Sequence, residues 1–281
     1  MNPLRSVSMA VAISGLLAMP AYGVSLTVDV LPNSGPATQN CGPGGPLFSD
    51  SAPIQLQNTC FRADVGTATG SAVAAAGHVG AAAHADSHNG DSLFAGIGAQ
   101  GLYRDFITFH SADPNAHSVA VSANLLLDGV FEANGPSAGS FLDLIVTLGN
   151  SLLRLAVLNA GVTQNDFIFD FGQVGPTTHL GLHTPFVTVP LDSPVMFQLN
   201  LQVSASAGGP GSHGLIDFAQ NSLKLAGDAF TLPAGVTANA GNYLVDNHYT
   251  DPLAVPEAAS WAMLLAGLGG LGAFMRRRAG D

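Results

Sequence analysis

Two histidines with an aspartate between them are the side chains whose spacing most suggests chemistry. His84 and His88 are four residues apart, Asp86 lies between them and His78 is close by. On a helix His84 and His88 would share a face and could bind zinc. On a strand their even spacing would also place both side chains on one face. Because no third ligand follows at a diagnostic spacing, the sequence predicts polar surface histidines and no metal site.

Calcium is the alternative at the same place. Asp86, Asn89 and Asp91 surround Gly90, and their oxygens are ligands that calcium prefers. The spacing differs from the twelve-residue EF-hand loop, although acidic loops of β-sandwiches bind calcium in other arrangements. Apart from this alternative we expect no cofactor, since the sequence contains no phosphate loop, dinucleotide fingerprint or kinase signature.

A match to the nucleophile elbow of hydrolases occurs at residues 135–139. Gly135-Pro136-Ser137-Ala138-Gly139 has the G-x-S-x-G pattern, which in hydrolases lies between a strand and a helix. Here a strand-like pattern follows instead, and Pro136 with two glycines suits an ordinary turn. We therefore expect a turn and no catalytic residue.

Short segments in which apolar and polar residues alternate make up most of the chain. As strands they would position these side chains. They are separated by Gly, Pro and Asn, and no alternating helices interrupt them, which predicts an all-β fold, a β-sandwich or jelly-roll-like body. The leucines of Phe141–Leu148 and Leu152–Leu158 could also form a helix, although Gly149-Asn150 between them favours a hairpin. The Ala/Gly-rich segment 63–99 predicts strands with a thin layer of small side chains. The remaining strand patterns are residues 24–31, 106–109, 119–125, 167–169, 186–189 and 195–203.

The N-terminus has the pattern of a signal peptide. Arg5 precedes an apolar segment from Val7 to Met19, and Pro20 ends it. Small residues then occupy the two positions that signal peptidase recognises, Ala21 and Gly23. The sequence predicts a signal peptide over residues 1–23 with a helical apolar part, and an exported body over residues 24–254.

The C-terminus has three parts in a fixed order. Val255-Pro256-Glu257 leads into 18 uncharged residues, 258–275, and then into Arg276, Arg277 and Arg278. A helix of this length covers about 27 Å, enough to cross a bilayer core. Trp261 would lie at one interface, and the arginines would mark the cytoplasmic side.

This tail, residues 255–281, resembles the PEP-CTERM sorting signal of Gram-negative bacteria that make exopolysaccharide. The resemblance rests on Val255-Pro256-Glu257, the apolar segment that begins at Trp261, and the three arginines, while Ala258 replaces the second proline of the usual Pro-Glu-Pro. It implies recognition by an exosortase, a membrane-embedded processing enzyme, transient residence in the inner membrane, and release near the Pro-Glu site. The same tail is also catalogued as an ice-binding protein C-terminal domain, a label that describes the tail alone.

Charge and cysteine content agree with export. Between Val24 and Val255 lie 17 of the 19 acidic residues and four of the eight basic ones, so the body is near −13 and nucleic acid is an unsuitable partner. The two cysteines, Cys41 and Cys60, predict one disulfide, which would add about 3 kcal/mol of stability by closing the loop between them.

These features predict a non-catalytic, exported structural protein of the cell surface or exopolysaccharide matrix. An extracellular carbohydrate-binding module is an alternative, although the only tryptophan lies in the tail. A secreted hydrolase using Ser137 or paired acids is another. An ice-binding array would need threonines at a fixed period, and none recurs.

Overall fold

The protein is built from β-strands that alternate buried and exposed side chains. The computed structural model describes residues 21–31, 47–49, 54–62, 66–88, 94–135, 137–241 and 243–251. Within these ranges the strands are β1 (Ala21–Leu31), β2 (Leu47–Ser49), β3 (Ile54–Arg62), β4 (Gly66–Ala75), β5 (His78–Ser87), β6 (Phe94–Ser111), β7 (Ser118–Asn134), β8 (Gly139–Leu148), β9 (Ser151–Leu158), β10 (Gly161–Asn165), β11 (Ile168–Phe171), β12 (Thr177–His183), β13 (Val187–Pro190), β14 (Pro194–Gly208), β15 (His213–Thr231), β16 (Val236–Asn239), β17 (Leu244–Val245) and β18 (His248–Tyr249). In the same ranges we find no apolar helix long enough to cross a bilayer.

The strands form two antiparallel sheets. The first has the order β10-β9-β8-β14-β6-β1-β2, with β16 added to β6. The second has the order β11-β12-β7-β15-β5-β4-β3, with β13 paired to β7, β18 to β15 and β17 to β18. Side chains from both sheets share one apolar core. The all-β prediction is confirmed. The predicted signal and transmembrane helices lie outside the described residues.

Strand β14 shows why these sequences form strands. Its odd-numbered residues from Val195 to Val203 are buried, and the even-numbered residues from Met196 to Gln202 are partly or fully exposed. This period of two places one apolar face against the opposite sheet. The same pattern in β8 buries Leu142, Leu144, Val146 and Leu148, so the strand prediction for Phe141–Leu148 is confirmed. The prediction for Leu152–Leu158 is confirmed by β9, which pairs with β8 through the Gly149-Asn150 turn.

The Ala/Gly-rich strands bring the two sheets close together, as the predicted thin layer of small side chains requires. Ala81, Ala83 and Ala85 of β5 are fully buried. Nearby, a Cβ added to Gly101 of β6 would lie 2.7 Å from the carbonyl oxygen of Val73 on β4. Only glycine fits such a backbone approach. Elsewhere the core is filled by large rings, as where Phe109 and Phe230 meet with centroids 5.2 Å apart.

Candidate functional site

Three side chains with metal-binding atoms converge on the outer face of the second sheet, where β5 and β15 pair. His213 lies opposite Asp86, and Leu215 lies opposite His84. Because side chains alternate along a strand, His84, Asp86 and His213 all point away from the core. We call these three residues the His-Asp-His cluster. Its ligand atoms all lie within 4.8 Å of one another.

The contacts within the cluster are short. Nδ1 of His213 lies 2.6 Å from Oδ1 of Asp86, and Nε2 of His84 lies 3.0 Å from Oδ2 of the same carboxylate. The two imidazole nitrogens, Nε2 of His84 and Nδ1 of His213, are 3.2 Å apart. The side chains are between 26% and 37% exposed, so small solutes can reach them.

A second carboxylate lies on the other side of His213. Oε2 of Glu132, on β7, is 3.4 Å from Nε2 of His213. Both ring nitrogens of His213 therefore face a carboxylate.

The environment keeps Asp86 ionised. Partial burial alone would raise the pKa of its carboxyl group, but hydrogen bonding to His213 and the charges of His84 and His213 outweigh burial and lower the pKa. The cluster therefore offers a carboxylate beside two imidazoles over the neutral pH range.

An open groove of about 620 Å³ lies on the same sheet. Its lining includes Asp128, Thr177, His179 and Asp217. The ring of Phe171, 47% exposed, stands beside it with its centroid 5.3 Å from that of His179. A groove with carboxylates, a hydroxyl and a neighbouring aromatic ring offers the contacts that polar ligands with apolar faces require.

The last described segment, the C-terminal hairpin of residues 243–251, is bonded into the body. Tyr243 is buried, and its hydroxyl lies 2.8 Å from Oδ2 of Asp105. The side-chain amide of Asn247 donates to the carbonyl of Phe230 at 2.7 Å and its oxygen accepts from the amide of Phe230 at 2.9 Å. The hydroxyl of Tyr249 donates to the carbonyl of Ala76 at 3.1 Å. Burial, and then the nearby charge of Asp251, raise the pKa of Tyr249, so it stays protonated and can donate.

A hydrogen bond and an ion pair fix the end of the hairpin. Oδ1 of Asp251 lies 3.2 Å from Nδ1 of the buried His78, and Oδ2 lies 3.6 Å from Nζ of Lys224.

Residues 254–279 match the family model of the PEP-CTERM protein-sorting motif. The chain carries a PEP-CTERM tail. The motif confirms the suspected resemblance and marks an exported exosortase substrate that passes through a membrane of a Gram-negative bacterium. No curated protein and no solved structure matches the chain.

The PEP-CTERM tail follows the hairpin almost at once. Only Pro252 and Leu253 separate Asp251 from the matched segment. The predicted sorting residues Val255, Pro256 and Glu257, and the predicted membrane residues Trp261, Arg276, Arg277 and Arg278, lie within the match but outside the described residues.

The structure locates some of the other predicted residues. Ser137 is exposed in the connection between β7 and β8, and β8 begins at Gly139, so a strand follows the G-x-S-x-G segment. Ala21 and Gly23 are the first and third residues of β1, where they pair with Arg104 and Leu102 of β6. Cleavage after Gly23 would leave β1 beginning at Val24.

Two predicted sites fall partly outside the described residues. Asn89, Gly90 and Asp91 of the calcium loop are not described, and neither are Cys41 and the side chain of Cys60. The calcium site and the disulfide stay predictions.

The sequence did not reveal His213, the residue that completes the His-Asp-His cluster. His213 is 129 residues from His84 along the chain, and only the pairing of β5 with β15 brings them together. His88, by contrast, is exposed just beyond the end of β5. No local pattern in the sequence marks His213 as a partner of His84, because local patterns do not identify which strands pair.

Proposed function

We propose that the protein is a non-catalytic structural component of the cell surface or exopolysaccharide matrix, left there after an exosortase has removed its tail. The observation that carries this proposal is the position of the PEP-CTERM motif directly after a hairpin that is bonded into the core. Tyr243, Asn247 and Tyr249 hold the hairpin, and all three precede the motif. Removal of the tail therefore breaks none of these contacts.

The short spacer also limits where processing takes place. Pro256 is five residues beyond Asp251. An extended chain covers at most about 3.6 Å per residue, so the motif lies within about 18 Å of the point where Asp251 contacts His78. The body must therefore lie against the external face of the inner membrane while the exosortase acts. It can leave as a folded unit afterwards.

Fractionation of the native host tests the location. We expect the processed protein to co-purify with the exopolysaccharide or the cell surface, and to appear in the culture medium when polysaccharide synthesis is deleted. If the processed protein is in the medium in both strains, the matrix assignment is wrong, although exosortase processing is unaffected by that result.

Carbohydrate binding in the open groove is a second candidate function. The specific observation in its favour is Phe171, an exposed ring beside a groove that contains Asp128 and Asp217. Rings pack against the apolar faces of sugars, and carboxylates bind their hydroxyls. Affinity electrophoresis in the host polysaccharide should show retardation that Phe171→Ala abolishes and Phe186→Ala preserves. Phe171 packs against His179 of the groove, whereas Phe186 is an exposed ring in the connection before β13. Equal mobility of the wild type with and without polysaccharide would exclude this candidate.

A further inference from the structure

We propose that His84, Asp86 and His213 bind one divalent transition-metal ion of the zinc type, and that Glu132 orients His213 for this role. The proposal rests on the geometry of the outer sheet face and is independent of the proposed function. It differs from the sequence expectation, which contained no third ligand for His84.

The separations of the ligand atoms fit a common ion. Zinc bonds to nitrogen and oxygen at about 2.0–2.2 Å, so two ligands of a tetrahedral zinc are about 3.3–3.5 Å apart. In the cluster the two imidazole nitrogens are 3.2 Å apart, and they lie 2.6 and 3.0 Å from the two different oxygens of Asp86. One ligand atom from each residue lies within 4.8 Å of the other two. Because the three side chains are partly exposed, they can adjust to the spacing that the ion requires.

The protons of His213 supply the second argument. A neutral imidazole has one N–H group and one lone pair, yet Nδ1 of His213 faces Asp86 and Nε2 faces Glu132. A neutral His213 can donate to only one of these carboxylates. In the metal-bound state Nδ1 gives its lone pair to the ion and the N–H group lies on Nε2, where Oε2 of Glu132, 3.4 Å away, is placed to accept it. Carboxylates fix metal-binding histidines in this way in many proteins.

The ligand types identify the class of ion. Two imidazole nitrogens and one carboxylate suit Zn²⁺, Co²⁺ or Ni²⁺, whereas Ca²⁺ and Mg²⁺ prefer sites made of oxygen. The partial exposure of all three side chains leaves room for a water molecule as a fourth ligand. The frame is also rigid, because β5 and β15 are both interior strands, flanked by β4 and β7.

Zinc titration of the full-length chain, purified in detergent and stripped of metals with a chelator, tests the proposal. Isothermal calorimetry should show one tight site per chain. His84→Gln, His213→Gln and Asp86→Asn should each weaken it at least about 100-fold, and Glu132→Gln by about 10-fold, the range for orienting partners. His183→Gln is the matched control, because His183 lies on the same sheet with a single carboxylate partner, Asp170, at 2.8 Å. Its affinity should equal that of the wild type.

Two results would overturn the proposal. The first is the absence of a one-to-one zinc site in the wild type, which would leave the three side chains as a hydrogen-bonded surface cluster. The second is an unchanged affinity in His84→Gln and His213→Gln, which would assign the zinc to other residues. Because a variant could fold poorly, X-ray absorption of the zinc-loaded wild type provides an independent measurement: we expect two imidazole ligands, and a spectrum without imidazole contradicts the site.

Discussion

Tyr243 lies with its hydroxyl 2.8 Å from Oδ2 of Asp105, so the segment before the sorting tail is bonded to a buried carboxyl group in the middle of the sandwich. The hydroxyl of Tyr103 lies 3.0 Å from the same oxygen and also contacts that of Tyr243. Burial, and then the neighbouring Tyr243 and Asp105, raise the pKa of Tyr103, so this hydroxyl stays protonated. The carboxyl group of Asp105 thus ties β6 to the C-terminal hairpin.

Tyr243→Phe removes one of these donors and should lower the free energy of unfolding by about 1–3 kcal/mol, the cost of leaving a buried polar group with fewer partners. Urea denaturation followed by circular dichroism measures the difference. Thr188→Val, which removes an exposed hydroxyl on β13, is the control and should change stability by less than about 0.5 kcal/mol. Equal stability of Tyr243→Phe and the control would mean that the hairpin is not held through Asp105.

Gly101→Ala should destabilise the protein by about 1–3 kcal/mol or prevent folding, because the new Cβ would lie 2.7 Å from the carbonyl oxygen of Val73 and 2.9 Å from that of Gly80. Backbone atoms of the opposite sheet cannot move aside as a flexible side chain would. Gly227→Ala is the matched control, since a Cβ there meets nothing within 4 Å. Thermal melting that ranks the two variants in the reverse order would contradict the close approach of the sheets.

Acidification should destabilise the body through His78. Burial lowers the pKa of this imidazole below its ordinary value of about 6.5, although Asp251 partly opposes the effect and Lys224 adds to it. The unfolded chain therefore takes up a proton at His78 more readily than the folded one, and stability present above about pH 6.5 is lost as the pH falls through that value.

The test is the change in unfolding free energy between about pH 7.5 and 5.5. His78→Gln should show a smaller loss than the wild type, whereas His117→Gln, at an exposed position, should lose as much as the wild type. The same loss in all three proteins would mean that His78 does not carry the pH dependence.

Ser137→Ala should leave stability within about 0.5 kcal/mol of the wild type and leave any hydrolytic activity unchanged, because Ser137 is exposed between two strands. A broad panel of ester, glycoside and peptide substrates measures the activity. Loss of a hydrolytic activity in this variant, with an unchanged circular dichroism spectrum, would favour the hydrolase over the structural protein.

Local patterns predicted the strands well, because a strand that is buried on one face must alternate apolar and polar residues. The alternation of Val195 to Val203 is such a case, and Gly149 takes a φ of +60° in the predicted turn. The turn at Ser137 could also be predicted from the sequence, because Pro and Gly favour turns through their own backbone geometry.

The contacts that make the candidate site depend on strand order, which local patterns do not contain. Tyr243 and Asp105 are 138 residues apart, and His213 meets Asp86 only because β15 lies between β5 and β7. The leucines of β9 were ambiguous for a related reason: pairing with β8 and β10, rather than their own spacing, makes them a strand.

Intact mass spectrometry of the protein from hosts with and without the exosortase tests the central claim most directly. In the normal host we expect a mature chain that ends near Pro256-Glu257 and lacks Trp261 to Arg278. In the deletion strain we expect the PEP-CTERM tail to remain and the protein to stay in the membrane fraction. A tail that is retained in the exosortase-positive host would contradict sorting and would leave a permanent membrane anchor as the function of these residues.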